Sequence, residues 1–290
     1  MTIPRTILAA TDFSAGATAA VHQACRLATA CGASLHIIHA PSMNGVDDLR
    51  AFFPDTTDFG DREAIDALTE RVANQLANAN APEDTTILVR PGKPYKSILA
   101  AIDEVHPDLL IIGNTGESNK RLGTVGGRCV RKAPCNVMLV PEDSRGPFAH
   151  ITACVDFSDL SPAVLDAAAS VATLDEGALT ALYAHEKVDQ SVFVKGPSQE
   201  LIDRLPRVLE DRFDSELRQH AGDTQTTFTV VSCKSYSDAI VRHATETHTN
   251  LVVTGTTNRT GIAYMLLGTT AEKVIREVGC AVLAVKPKSV

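Results

Sequence analysis

Short apolar runs alternate along the chain with longer segments in which apolar residues recur every three or four positions. In the first half the runs lie near residues 5–11, 34–40, 85–90, 108–113 and 136–140, and the helical periodicity near 14–31, 59–80, 94–106 and 124–133. Runs such as Asp108-Leu-Leu-Ile-Ile-Gly113 and Asn250-Leu-Val-Val-Thr-Gly255 are apolar without alternation. That pattern predicts strands covered on both faces, and the periodic segments predict the helices that cover them. Five strands joined by four helical crossovers make a doubly wound α/β unit with a parallel sheet. Punctuation agrees: Ser14 stands where the first helix needs an N-cap and Gly32 just past its end, while Ser161 and Pro162 predict a cap and first helical position in the second half. Residues 41–58 and 185–197 carry no such pattern and are expected to be loops over the carboxyl edge of each sheet.

The pattern occurs twice. Ile7-Leu-Ala-Ala-Thr-Asp12-Phe13-Ser14 and Ile151-Thr-Ala-Cys-Val-Asp156-Phe157-Ser158 agree at five of eight positions, at an offset of 144. Solenoid repeats run roughly 20 to 50 residues, so this period implies two copies of a whole domain. The expected boundaries are residues 1–143 and 148–290, with Glu142-Asp-Ser-Arg-Gly-Pro-Phe-Ala149 as linker. Gly113 and Gly255 differ by 142, but Gly123 and Gly268, like Cys135 and Cys280, differ by 145, so the second copy carries three extra residues in the loop after its fourth strand.

Composition narrows the function. The 27 Lys and Arg against 35 Asp and Glu leave a net charge of −8, a poor footprint for gripping nucleic acid or an anionic membrane. Aromatic residues are only 4% and Trp is absent, which argues against broad base-stacking surfaces. No apolar window is long enough to span a bilayer, and Asp12 interrupts the N-terminal run before a signal segment is complete. Seven cysteines without a C-x-x-C pair predict neither a disulfide framework nor a zinc ribbon, and a reducing cytoplasm is the expected setting.

In open α/β sheets ligands bind beyond the carboxyl ends of the strands, where strand order reverses, so the ends of strands one and four are the first places for chemistry. Strand one ends in Asp12-Phe13-Ser14 and Asp156-Phe157-Ser158, a carboxylate beside a helix start. Capping alone would also explain an Asp-x-Ser segment there. Strand four is followed by Gly113-Asn-Thr-Gly116 and then Gly123-Thr124, and in the second copy by Gly255-Thr-Thr-Asn258 and then Gly268-Thr269. Glycines let backbone N–H groups approach an anion, and a helix start offers unpaired amides and the positive end of its dipole. Neither the P-loop nor the G-x-G-x-x-G pattern occurs.

These segments, with Gly92-Lys-Pro94, Arg131-Lys-Ala-Pro-Cys135-Asn-Val-Met-Leu-Val140 and Gly279-Cys280-Ala-Val-Leu-Ala-Val285, resemble the universal stress proteins in their tandem two-domain form, over nearly the whole chain. The resemblance implies a Rossmann-like fold of the adenine nucleotide alpha-hydrolase type and a cytoplasmic stress-response binding or signalling role. One branch of the family holds ATP, with Mg, through G-x2-G-x9-G-[ST], the strand-one aspartate lying near the adenine. Carried over, the implied nucleotide contacts are Asp156, Ala184, Gly255, Asn258, Gly268 and Thr269 in the second copy, and Asp12, Ala40, Gly113, Gly116, Gly123 and Thr124 in the first. Both copies depart from the pattern. The first has six residues between Gly116 and Gly123, and a nine-residue count lands on Gly126-Gly127 without a hydroxyl. The second keeps the spacing but has Asn258 for the second glycine, the mildest such change because Asn tolerates left-handed backbone. The second copy is therefore the better candidate pocket.

Other residues carry less. His36 and His39 point to opposite faces of a strand, and His243 and His248 are five apart on a helix, so neither pair has zinc spacing. Cys135 and Cys280 enter the last strands as small core residues. Lys120, Arg121 and Arg259 sit in the glycine loops, facing phosphate or water. The short apolar last strands suit pairing with each other or another chain, which makes a homodimer the expected partner. Two other readings remain from the residues: a nucleotide-free scaffold or apolar-ligand binder, and a slow ATPase or adenylating enzyme, for which no base or metal-carboxylate set is visible.

Overall fold

The computed structural model describes residues 4–42, 61–114, 124–187, 199–256 and 267–287. The chain divides into two compact units at Gly146 and Pro147. The first contains β1 (Thr6–Thr11), α1 (Ala15–Cys31), β2 (Ser34–His39), α2 (Asp61–Asn78), β3 (Thr86–Val89), α3 (Pro94–Val105), β4 (Leu109–Asn114), α4 (Thr124–Lys132) and β5 (Asn136–Pro141). The second contains β6 (His150–Val155), α5 (Ser161–Asp175), β7 (Ala178–Glu186), α6 (Gln199–Glu216), a 3-10 turn over Arg218–Ala221, β8 (Thr226–Cys233), α7 (Tyr236–Glu246), β9 (Leu251–Gly255), α8 (Thr269–Glu277) and β10 (Ala281–Val285).

Within the first unit the strand order is β3-β2-β1-β4-β5 and within the second β8-β7-β6-β9-β10, with parallel pairing throughout. Each is the doubly wound arrangement expected from the buried apolar runs. Order reverses between β1 and β4 in one unit and between β6 and β9 in the other. The central strands are solvent-free: Ile7, Leu8, Ala9, Leu110, Ile111, Ala153, Leu251, Val252 and Val253 are all fully buried.

The helix ends follow local chemistry. Ser14 caps α1, its hydroxyl accepting from the Ala17 amide, and Gly32 closes the helix at φ 64°. The second unit differs from expectation: Leu160 occupies the cap position of α5 without a side-chain bond, and Ser161 is the first helical residue. Its hydroxyl faces Asp156 instead of the helix amides. Residues 185 and 186, expected in a loop, extend β7, because their backbones pair with Ser232 and Cys233 of β8. His248 lies beyond the end of α7 at φ 52°, so it does not share a helix with His243. Cys135 is buried as expected but Cys280 is partly exposed. The linker is fastened to both sides: Gln23 donates to the carbonyls of Ser144 and Gly146, and the buried Phe148 donates its amide to Asp175.

Candidate functional site

Just past the first strand of each unit the chain turns through a left-handed phenylalanine, Phe13 at φ 64° and Phe157 at φ 58°. A bulky side chain in that region carries strain of about 1–3 kcal/mol and persists only where the surroundings hold it. Both rings are covered by an arginine from the second helix of the same unit: Arg71 of α2 lies 3.9 Å over Phe13 and Arg212 of α6 lies 4.4 Å over Phe157. On its other side Phe13 meets His39 at 4.6 Å, and Phe157 meets Tyr183 at 5.2 Å. The turn sets the preceding aspartate at the carboxyl edge of the sheet.

The two aspartates are held differently. Asp12 is exposed and accepts from the Ser14 amide at 3.0 Å. Asp156 Oδ1 accepts from the Ser158 amide at 3.0 Å, the Ser158 hydroxyl at 2.5 Å and the Ser161 hydroxyl at 3.0 Å. The Ser161 oxygen also receives the Asp156 amide at 3.1 Å.

The crevice at the reversal point also differs between units. A Cβ on Gly113 at the end of β4 would lie 2.3 Å from Ala17 N and from Gly16 C, so the first turn of α1 is seated directly on the strand backbone. Gly16 has the same constraint in return, its Cβ position lying 2.8 Å from the Asn114 carbonyl oxygen. At the corresponding place in the second unit stands Leu160, and the Cβ position of Gly255 meets its side chain, at 2.8 Å, instead of helix backbone. The leucine keeps α5 away from the end of β9.

There a solvent-connected cavity of about 200 Å³ opens. Asp156 and the first turn of α5 form one side, Tyr183 and Ala184 of β7 the second, and Tyr236 and Ile240 of α7 the third. Gly255, Gly268, Thr270 and Ala271 complete it. Cys154 lies in its wall, and burial first, then Cys280 and the charge of Asp156, push its thiol up to about 12, so it is a neutral wall group. The amide of Gly268 is used by the Thr256 carbonyl at 3.1 Å, but those of Thr269, Thr270 and Ala271 have no acceptor within α8. The site thus pairs a carboxylate at one end with a helix start at the other. Glu272, in the first turn of α8, is bonded to Arg276 at 2.7 Å, which offsets its charge there.

Of the residues expected from the sequence, Asp156, Ala184, Gly255 and Gly268 line this one cavity; Thr269 is exposed and Thr270 lines it instead. Asp12 is exposed, Ala40 partly exposed, and Gly113 is occupied by the α1 contact. Gly116, Gly123, Asn258, Lys120, Arg121 and Arg259, and the side chain of Thr124, lie outside what the structure describes, as do most of the two expected long loops. Gly126 and Gly127 fall inside α4. Leu160, Ser161, Tyr183, Tyr236 and Thr270 were not singled out from the sequence for a binding role. A signal existed for two of them: the offset of 144 aligns Leu160 with Gly16 and Ser161 with Ala17, the places where the copies diverge.

The fold and the two strand-end sites define a tandem protein of the universal stress type. The Universal stress protein family model matches residues 4–141 and again 147–286, and the chain belongs to that family. A universal stress protein of Methanocaldococcus jannaschii is 27% identical over 143 residues, 48% of this chain and 82% of that protein. The crystal structure of a universal stress protein from Archaeoglobus fulgidus matches with a TM-score of 0.69 over 98% of this chain and 99% of its own, at 17% identity. A crystal structure from Pseudomonas aeruginosa matches with a TM-score of 0.69 over 98% of this chain and 94% of its own, at 19% identity. At such identities the structural likeness speaks for the fold. Among the described residues no helix is long and apolar enough to cross a membrane.

Proposed function

We propose that this universal stress protein is a cytoplasmic binding and signalling module with one adenine-nucleotide site, located in its second unit. The observation that carries the reading is the cavity at the β6/β9 reversal point, which joins Asp156 to the start of α8. A carboxylate accepts from N–H donors such as those on an aminated base, and a helix start receives phosphate through its amides and dipole. Base and sugar occupy the cavity, and the phosphates run along the first turn of α8, past the exposed Thr269. Among the described residues no cluster of three His, Cys, Asp or Glu side chains is present, so Mg²⁺ would travel with the phosphates of ATP, keeping several of its waters. None of the seven cysteines is in a disulfide bond, which suits a reducing compartment. Self-association into a homodimer belongs to the same reading and is measured by light scattering.

Thermal unfolding with and without Mg-ATP tests the site. At 100 times Kd a ligand adds about 2.7 kcal/mol of stability, a visible rise in midpoint. Gly268→Asp abolishes the rise, because the new carboxylate takes the helix amides and repels phosphate. It does so without harming the fold, since aspartate is a favoured N-cap residue and Gly268 has ordinary extended backbone at φ −59° and ψ 141°. A second reading has its own observation: Leu160, Val164, Leu182 and Ile240 give the cavity an apolar side. On that reading Mg-ATP at millimolar concentration leaves the midpoint unchanged and a small apolar ligand raises it.

A further inference from the structure

We propose that Ser161 is a positioning residue that clamps Asp156 and thereby makes the inner end of the second-unit cavity select ligands presenting N–H donors. This rests on the nucleotide reading above only for the kind of ligand, and not for the clamp itself.

Ser161 is 2% exposed and stands at the first helical position of α5, one residue past the Leu160 cap, so its hydroxyl is not committed to the helix amides. Its single hydroxyl hydrogen goes to Asp156 Oδ1 and its oxygen receives the Asp156 amide, closing a ring around one residue. With the amide and hydroxyl of Ser158 also on Oδ1, three donors converge on one carboxylate oxygen. An ionised carboxyl group has about four lone-pair sites on its two oxygens, so Oδ1 is saturated. No described residue bonds Oδ2, and Asp156 lines the cavity. The rotamer is fixed by the clamp, and the remaining oxygen is a pure acceptor. A ligand edge with an amino group gains a charge-assisted hydrogen bond there, whereas a carbonyl oxygen meets like charge. The first unit lacks the device. Ala17 stands at the position equivalent to Ser161, Ser14 is spent on capping α1, and Asp12 receives one amide.

Two measurements on the full chain test the proposal. The first is hydrogen exchange at the Asp156 amide by NMR, which needs no ligand. Protection is expected in the unmodified chain, an acceleration of at least about tenfold in Ser161→Ala, and restoration in Ser161→Thr, with exchange in the central strands unchanged. An Asp156 amide that exchanges equally fast in all three chains refutes the clamp. The second compares ATP with its 6-oxo counterpart inosine triphosphate, by calorimetric titration. The unmodified chain is expected to prefer ATP by at least about tenfold, Ser161→Ala to lose most of that ratio, Ser161→Thr to regain it and Asp156→Asn to invert it. Equal ratios in the unmodified chain and Ser161→Ala refute the selective role. Binding of neither triphosphate, with the exchange results as expected, refutes the nucleotide reading and supports the clamp.

Discussion

At Gly113 and Gly255 the same residue type does two jobs. A methyl group on Gly113 would meet the backbone of Gly16 and Ala17, which cannot withdraw without moving α1. One on Gly255 would meet the end of the Leu160 side chain, which can rotate aside into the cavity. Overpacking of a rigid contact costs about 1–3 kcal/mol or more, so Gly113→Ala is expected to lower stability in denaturant titration by at least that amount and Gly255→Ala by clearly less. Equal losses would contradict the closed and open descriptions of the two strand ends. The glycine pattern itself was legible in the sequence. Its meaning was not, because a glycine that admits a phosphate and one that admits a helix look alike until the residue opposite is known. That residue, Gly16 in one copy and Leu160 in the other, lies nearly a hundred positions away.

Helix α7 shows how an element couples to pH. Tyr236 and Ile240 on it face the cavity, and His243 one turn further has its Nε2 buried without a hydrogen-bond partner among the described residues. Desolvation first, partly offset by Glu246, lowers its proton affinity below the ordinary 6.5. The unfolded chain therefore takes up a proton before the folded one does. Stability is full above about 6.5 and declines as pH falls through the window below it, the sign for a depressed histidine. His22 and His36 are shifted the same way by burial. The expected outcome is a denaturation midpoint that drops from pH 7 to about 5 and drops less steeply in His243→Leu. An unchanged slope in that variant would mean the ring is protonated in the folded state. At this scale the sequence was most informative: apolar runs and periodic segments located the strands and helices of the first unit, and in the second the runs at β9 and β10. It failed where pairing overrode composition, as at His185 and Glu186, whose polar side chains hide an edge-pairing backbone, and at Ser161, whose hydroxyl had a stronger partner than its own helix.

For the whole chain, duplication has produced two units of one topology with unequal strand ends. The internal repeat, five of eight positions around Asp12-Phe-Ser and Asp156-Phe-Ser with the aligned glycines and cysteines beyond, made the duplication legible, and the family match over residues 4–141 and 147–286 agrees with it. Which unit has the open strand end was only partly legible, since the loop spacings favoured the second copy for a reason, loop length, different from the one seen here. The structural reason is a leucine that props the helix open and a serine that steadies the aspartate. With a net charge of −8 the molecule has no general attraction for polyanions, so nucleotide binding at the proposed site would depend on local amides and not on the overall field.

Calorimetric titration of the intact chain with Mg-ATP measures that inequality directly. The account predicts one nucleotide per chain, lost in Gly268→Asp and kept in Asp12→Ala. Two nucleotides per chain, or a single one lost in Asp12→Ala and kept in Gly268→Asp, would contradict it.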